Sequence, residues 1–315
     1  MGTGHQPPTA EAFGVGAGEA ATLRGPLIPE EPLRPSSLPK AFNPYRPVVF
    51  DGRVAVSTGW LVKPVGFSPN RDYPLVVLHS DMPERPDDRS FLVDGRHNLS
   101  GHAAQPLASV GFAVLFPGTP PGRVGTATET DAMRANTEAA VRAVAGRGYV
   151  DTLRVGVSGF SRSAYYTDQL LMRSSLPFAA ATQLDGATAE YRVGMRPYRD
   201  DELARIHAPL LAQAHGPTQL AYQGRMADRL RAMGKPAKLL YFQTAPHSTR
   251  QPGHRLSSLS THVDWWRFWL QDHEDPAPEK AAMYARWRQM RAGAKAAPHA
   301  PEKGEGDGAP GGLGW

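Results

Sequence analysis

The sequence contains no cysteine, and this absence excludes disulfide bonds, thiolate metal sites and a cysteine nucleophile. It also lacks any apolar run that approaches the length of a membrane span. Residues 1–21 have neither a basic n-region nor an apolar h-region, so we expect no secretory signal and a cytoplasmic protein. The 35 basic residues barely outnumber the 30 acidic ones and form no single block, so no nucleic-acid partner is expected.

The composition is that of a largely globular chain. Of 315 residues, 41% are hydrophobic and 21% are charged, which is enough for one large α/β domain or two small ones. Residues 1–45 are rich in Pro, Gly, Ala and Ser, and we predict that they are disordered or wrap the surface. We place the catalytic domain at residues 46–292 and predict a disordered tail over residues 293–315.

Short apolar runs alternate with amphipathic segments along residues 46–292. A continuous apolar run such as Leu75–His79, bounded by turn residues, indicates a strand that is buried on both faces. The alternation of strands and helices predicts a doubly wound, mostly parallel sheet with helices on both faces. Residues 188–206 are predicted to form a charged, irregular insertion, and residues 278–291 an exposed helix.

One stretch matches the nucleophile elbow of α/β-hydrolases. The segment Gly159-Phe160-Ser161-Arg162-Ser163 follows an apolar strand and precedes a helix, and it has the G-x-S-x-G pattern with Ser163 in place of the last glycine. A sharp strand-to-helix turn lifts the hydroxyl of the central serine clear of the backbone, so its neighbours two residues away must be small. The alternative interpretation is a glycine turn with incidental serines.

Several polar residues follow predicted strands at the edge of the sheet where α/β sites lie: His79, Ser161, Asp185, His215 and His247. In α/β-hydrolases the chain order is serine, then acid, then histidine. Ser161 and His247 fit this order, with His247 as the general base that takes the Ser161 proton.

The acid of this order is not obvious. It is expected after the strand that ends at Ala214, but no Asp or Glu lies between Glu202 and Asp228. Three alternatives remain at this stage: Asp185 reaches His247 from the neighbouring strand, Gln219 orients the ring as a neutral acceptor, or no third group exists.

An oxyanion hole would use the backbone N–H of Arg162 and a second donor from the loop after His79, which begins at Ser80. The spacing of His247, His254 and His262 does not place two of them on one helical turn, so neither a metal nor another cofactor is expected.

With these residues placed, the chain resembles the catalytic domain of the prolyl oligopeptidase family of serine peptidases, and within it lasso peptide isopeptidases. The resemblance rests on the elbow and on four further segments: 101–108, 177–181, 263–271 and 274–288. It implies Ser161 as nucleophile, His247 as general base and a peptide substrate, a lasso peptide among them. Family members carry an N-terminal β-propeller, and this chain has only a Pro-rich segment there.

The resulting hypothesis is a serine hydrolase that cleaves a peptide or isopeptide bond through an acyl-enzyme on Ser161. An esterase of the same fold uses the same groups and is a second possibility. A catalytically degenerate binding protein, which lacks the acid, is the third.

Overall fold

The computed structural model describes residues 47–51, 56–79, 104–120, 125–186, 197–249 and 251–296. Its eight strands form one sheet in the order β1-β2-β4-β3-β5-β6-β7-β8. The strands are β1 Pro47–Asp51, β2 Val56–Val62, β3 Tyr73–His79, β4 Ala113–Phe116, β5 Val150–Phe160, β6 Phe178–Leu184, β7 Leu210–His215 and β8 Ala237–Phe242. The pairs β1–β2 and β2–β4 are antiparallel and the others are parallel. The predicted doubly wound, mostly parallel sheet is therefore confirmed.

Seven α-helices connect or follow these strands within the described residues. They are α1 Ala104–Ser109, α2 Glu129–Ala145, α3 Arg162–Arg173, α4 Asp200–Leu203, α5 Gly216–Ala232, α6 Pro252–Gln271 and α7 Ala281–Ala296, with a 3₁₀ turn at Pro278–Lys280 before α7. None of the helices in these ranges combines the length and the hydrophobicity that crossing a lipid bilayer requires.

The sheet has an apolar cluster on each face because its central strands are buried on both sides. β3 is buried at all seven positions, as its unbroken apolar run predicts. One cluster lies between the sheet and α2, α3 and α5, with Val141, Leu170 and Leu230 among its members. The other lies between the sheet and α1, α6 and α7, and includes Trp266 and Trp287.

The aromatic side chains of α6 press closely on the sheet. Trp265 and Trp266 are fully buried, and a Cβ atom added at Gly156 in β5 would lie only 2.2 Å from Trp266 Cζ3. Glycine is thus required at this position by packing, since no side chain fits between the strand and the indole ring.

Two segments differ from the sequence-based expectations. The helix predicted as exposed over residues 278–291 buries Tyr284 and Trp287 to 1% exposure each against α6, because every third or fourth residue of α7 is apolar or aromatic. The same helix runs to Ala296, past the domain boundary predicted at residue 292.

The predicted irregular insertion is also partly ordered against the core. Its described residues contain the short helix α4, and Tyr198, Leu203 and Ile206 are buried. Residues 188–196 of this insertion lie outside the described residues, as do residue 187 before it and residues 1–46 and 297–315.

Candidate active site

Ser161 occupies a strained turn between β5 and α3. Its backbone has φ 54° and ψ −123°, a conformation that costs a non-glycine residue roughly 1–3 kcal/mol. Its N–H donates a 3.0 Å hydrogen bond to Leu184 O of β6, which anchors the turn to the neighbouring strand. A Cβ atom at Gly159 would lie 2.1 Å from Ser163 O, so the glycine two residues before the serine is sterically required.

His247 lies in the loop after β8 and reaches back to this turn. Its Nε2 is 2.9 Å from Ser161 Oγ, a hydrogen-bond distance that suits proton transfer. The Phe160 ring stacks on the imidazole with centroids 4.8 Å apart and planes inclined by 27°. The imidazole is therefore supported on one face, while half of the His247 side chain (51%) stays exposed to solvent.

Asp185 contacts the other nitrogen of the same ring. Oδ2 of Asp185 pairs with His247 Nδ1, and Oδ1 accepts a 2.8 Å hydrogen bond from the His215 N–H. The carboxylate is 2% exposed. Asp185 has φ 42°, a left-handed conformation that Asp adopts more readily than most residues. Of the three alternatives for the group on the His247 ring, the structure shows Asp185 there, and Gln219 lies in the first turn of α5.

His215 ends β7, the strand after which the acid was expected. Its Nδ1 is 3.1 Å from Pro246 O and 3.3 Å from His247 O, and the ring is buried. Burial lowers the pKa of His215, and the nearby Asp185 carboxylate opposes that shift only in part. The ring is thus a neutral donor to the loop that carries His247.

Beneath the elbow lies a buried carboxylate that sequence reasoning missed. Glu129, the first residue of α2, accepts hydrogen bonds from Arg162 Nε at 2.7 Å, from the Tyr166 hydroxyl and from the Gly125 N–H at 2.7 Å. Burial alone would raise its pKa, but these hydrogen bonds and the charge of Arg162 together lower the pKa of Glu129 to about 2.

This network holds the residue that follows the proposed nucleophile. The i, i+4 spacing of Arg162 and Tyr166 was visible in the sequence, but Glu129 lies 33 residues before Arg162 and no local pattern joins them. The network fixes the start of α3, where the Arg162 N–H is one of the first helical donors and has no intrahelical acceptor.

The remaining candidates lie around or away from the cleft. His79 ends β3 beside the site, and its Nε2 is 3.0 Å from Thr137 Oγ1; burial lowers the pKa of His79 to about 4, so its ring is neutral. His254 packs near Phe242, and His262 Nε2 is 2.8 Å from Thr182 Oγ1. Ser80 lies outside the described residues.

The chain is similar in fold to peptidases of the α/β-hydrolase class. No family model matches it. The solved structure of AtxE2 isopeptidase superposes with a TM-score of 0.63 and 24% identity, covering 78% of this chain and 44% of that one, and a variant of that isopeptidase was solved with astexin3-dC4 bound. Pyrococcus horikoshii acylaminoacyl peptidase superposes with a TM-score of 0.53 and 17% identity, covering 75% and 43%.

Sequence comparison finds the same isopeptidase as a relative. The lasso peptide isopeptidase AtxE2 of Asticcacaulis excentricus is 35% identical over 173 residues, which cover 46% of this chain and 25% of that protein. The resemblance to prolyl oligopeptidase-type catalytic domains, and to lasso peptide isopeptidases among them, is therefore confirmed. The chain spans less than half the length of these relatives.

Proposed function

We propose that this protein is a serine hydrolase that cleaves a peptide or isopeptide bond through an acyl-enzyme on Ser161. The observation that carries the proposal is a continuous chain of contacts: Ser161 Oγ lies 2.9 Å from His247 Nε2, and His247 Nδ1 contacts Asp185 Oδ2. A nucleophile, a base within hydrogen-bond reach and a third group that orients the base are the three parts that covalent catalysis by serine needs.

In the first half-reaction, Ser161 Oγ attacks the carbonyl carbon of the scissile amide while its proton moves to His247 Nε2. The C–N bond then breaks, and the same proton goes from His247 to the leaving amine. In the second half-reaction, a water gives one proton to His247 and its oxygen attacks the ester carbonyl. The proton returns to Ser161 Oγ as the carboxylic acid product leaves.

Asp185 keeps the imidazole in the productive tautomer. Its carboxylate accepts a hydrogen bond from Nδ1, which leaves Nε2 free to accept the serine proton. The negative charge of Asp185 stabilises the imidazolium that forms on His247 during the attack. Asp185 is 2% exposed, so the carboxylate side of this pair is shielded from water.

We assign the stabilisation of the negative charge on the substrate oxygen to the backbone N–H of Arg162, the first residue of α3. A helix N-terminus carries unpaired N–H groups and a positive end of the helix dipole, and both favour an oxyanion. The Glu129 contacts of the Arg162 side chain keep this backbone in place before substrate arrives.

A threaded lasso peptide is the substrate that we propose within this class. The support is the 35% identity to a lasso peptide isopeptidase. The isopeptide bond that closes such a ring is an amide, so the groups described above suffice for its hydrolysis. Ser161 is partly exposed and the His247 side chain is half exposed, so both groups that would attack the peptide face solvent.

Labelling with a fluorophosphonate tests the nucleophile. We expect the purified protein to form one covalent adduct, Ser161→Ala to form none, and Ser257→Ala, which changes an exposed serine on α6, to label as the unchanged protein does. Absence of labelling in protein whose folding is verified by circular dichroism would overturn the hydrolase proposal and leave a binding protein.

Incubation with defined substrates tests the bond that is cleaved. We expect a threaded lasso peptide to gain the mass of one water without fragmenting, because opening a ring adds water and releases nothing. Linear peptides and short acyl esters serve as comparisons, and turnover confined to the esters would contradict the peptidase proposal and identify an esterase.

A further inference from the structure

His215 connects the Asp185 carboxylate with the loop that carries His247. Its backbone N–H donates to Asp185 Oδ1 at 2.8 Å, while its ring Nδ1 lies 3.1 Å from Pro246 O and 3.3 Å from His247 O. One residue at the end of β7 therefore holds both the carboxylate and the loop that carries the imidazole.

The hydrogen-bond partners define the state of the ring. Carbonyl oxygens only accept, so Nδ1 must carry the proton. Thr249 Oγ1, which is buried, lies 3.3 Å from Nδ1 and 3.5 Å from Nε2, so in this tautomer it can accept from Nδ1 or donate to Nε2. Phe242 packs edge-on against the ring with centroids 5.4 Å apart, and this contact restricts the ring plane. Burial, which lowers the pKa of His215, keeps the ring neutral.

The place of His215 in the fold explains why a neutral donor suits it. The sequence led us to expect the acid after β7, yet here the carboxylate comes from Asp185 after β6, and His215 Nδ1 is 3.8 Å from its Oδ2. A second carboxylate at residue 215 would repel Asp185 in a buried setting. A neutral imidazole avoids this repulsion and supplies the N–H that the loop carbonyls need.

We propose that His215 is a positioning residue that fixes the His247 loop, residues 245–249, and the Asp185 carboxylate in the geometry required for proton transfer from Ser161. This inference rests on the proposed function. His215 touches neither the substrate nor Ser161 in this role, and it acts through His247 and Asp185. Small displacements of a catalytic group slow the chemical step strongly, by up to about 100-fold for roughly 1 Å.

Substitutions at residue 215 test the proposal on the full chain with a lasso peptide or an acyl ester as substrate. His215→Phe keeps a planar ring but removes the Nδ1 donor, and we expect kcat to fall about 10- to 100-fold with KM nearly unchanged. His215→Asn retains a side-chain N–H near the position of Nδ1, and we expect it to restore most of kcat. His207→Phe, an exposed histidine before β7, is the matched control and should change nothing.

Amide hydrogen exchange at residues 245 and 247–249, the residues of this loop that carry a backbone N–H, gives a readout that does not depend on activity. We expect faster exchange in His215→Phe and near-normal exchange in His215→Asn. If His215→Phe does not fold, Thr249→Val and His215→Asn carry the test, with the larger loss of kcat expected for Thr249→Val. If the wild-type protein is active and His215→Phe has the same kcat, the inference is wrong. The same holds if Thr249→Val and His215→Asn both keep the wild-type kcat. If the wild-type protein neither reacts with the fluorophosphonate nor hydrolyses either substrate, the proposed function is wrong instead. The exchange data then still decide whether His215 anchors the loop.

Discussion

Asp185 and His247 are 62 residues apart and follow strands that are not neighbours, yet Asp185 Oδ2 contacts His247 Nδ1. The contact crosses the end of β7, which lies between β6 and β8. The backbone turns at Asp185, where φ is 42°, and this turn directs the carboxylate over β7 toward the imidazole.

Asp185→Asn should lower kcat by about 10⁴ with a much smaller change in KM. The amide keeps an oxygen for the His215 N–H but stabilises the wrong imidazole tautomer, which is the effect of the same change in the best-studied serine peptidase triad. Steady-state kinetics on an acyl ester measure it. Asp228→Asn, at an exposed position of α5, is the control, and a loss below tenfold in Asp185→Asn would contradict the assigned role.

Replacing Ser161 separates strain from chemistry. Ser161→Gly and Ser161→Ala should both abolish hydrolysis, but the glycine variant should be more stable than the alanine variant by about 1 kcal/mol, because φ 54° is unfavourable for any residue with a Cβ. Urea denaturation of the two variants measures the difference. Equal stabilities would show that the turn stores no strain.

Glu129→Gln should destabilise the protein at pH 7 by on the order of 2 kcal/mol and by roughly half as much at pH 3. The pKa of Glu129 is lowered to about 2 in the folded chain and is near 4.5 when unfolded, so its contribution is complete above pH 4.5 and is lost as the pH falls toward 2. Denaturation curves at both pH values test this. Asp131→Asn, which changes an exposed acid two residues later in α2, is the matched control. A penalty of equal size at both pH values would refute the prediction.

Asp168 should make the protein less stable as the pH rises. Burial raises the pKa of Asp168 to about 8, although hydrogen bonds from Tyr198 and Gln183 oppose the shift. The unfolded chain loses this proton near pH 3.8, so between pH 4 and 8 the folded state binds more protons and stability falls with increasing pH. Asp168→Asn should therefore exceed the unchanged protein in stability at pH 8 by more than about 1 kcal/mol and match it near pH 4. The midpoints of urea denaturation of the two proteins measure the difference. If Asp168→Asn is less stable than the wild-type protein at pH 8, the raised pKa of Asp168 does not limit stability.

Two glycine-to-alanine changes should have opposite effects. Gly156→Ala places a Cβ 2.2 Å from Trp266 Cζ3, and this overpacking should destabilise by about 1–3 kcal/mol. Gly293→Ala, in α7, meets no atom within 4 Å and should stabilise by about 0.5–1 kcal/mol through helix propensity. Thermal unfolding compares them, and a neutral Gly156→Ala would mean that α6 can shift away from β5.

Sequence patterns predicted the sheet and brought Ser161 and His247 into one hypothesis, because both lie at strand ends in the expected order. The group on the far side of the His247 ring stayed one of three alternatives. A positive φ at Asp185 and the passage of its carboxylate over β7 depend on tertiary structure, which no local pattern encodes.

Contacts between distant segments explain the other differences. Arginines at residues 286, 288 and 291 favour a solvent-exposed α7. Tyr284 and Trp287 are nevertheless buried against the aromatic side chains of α6, and the sequence does not show that α7 packs on α6. Glu129 belongs to the elbow for the same reason: it reaches Arg162 through the packing of α2 on α3.

The hydrogen bond from Ser161 N to Leu184 O couples two parts of the site mechanically. Phe160 of β5 and Leu184 of β6 are paired in the sheet, and Ser161 and Asp185 are the residues that follow them. A slip of β6 along β5 would displace both groups together, and transplanting this chemistry onto another scaffold means moving the β5–β6 pair as one block. His247, on a separate loop, is then the piece that must be fitted afterwards.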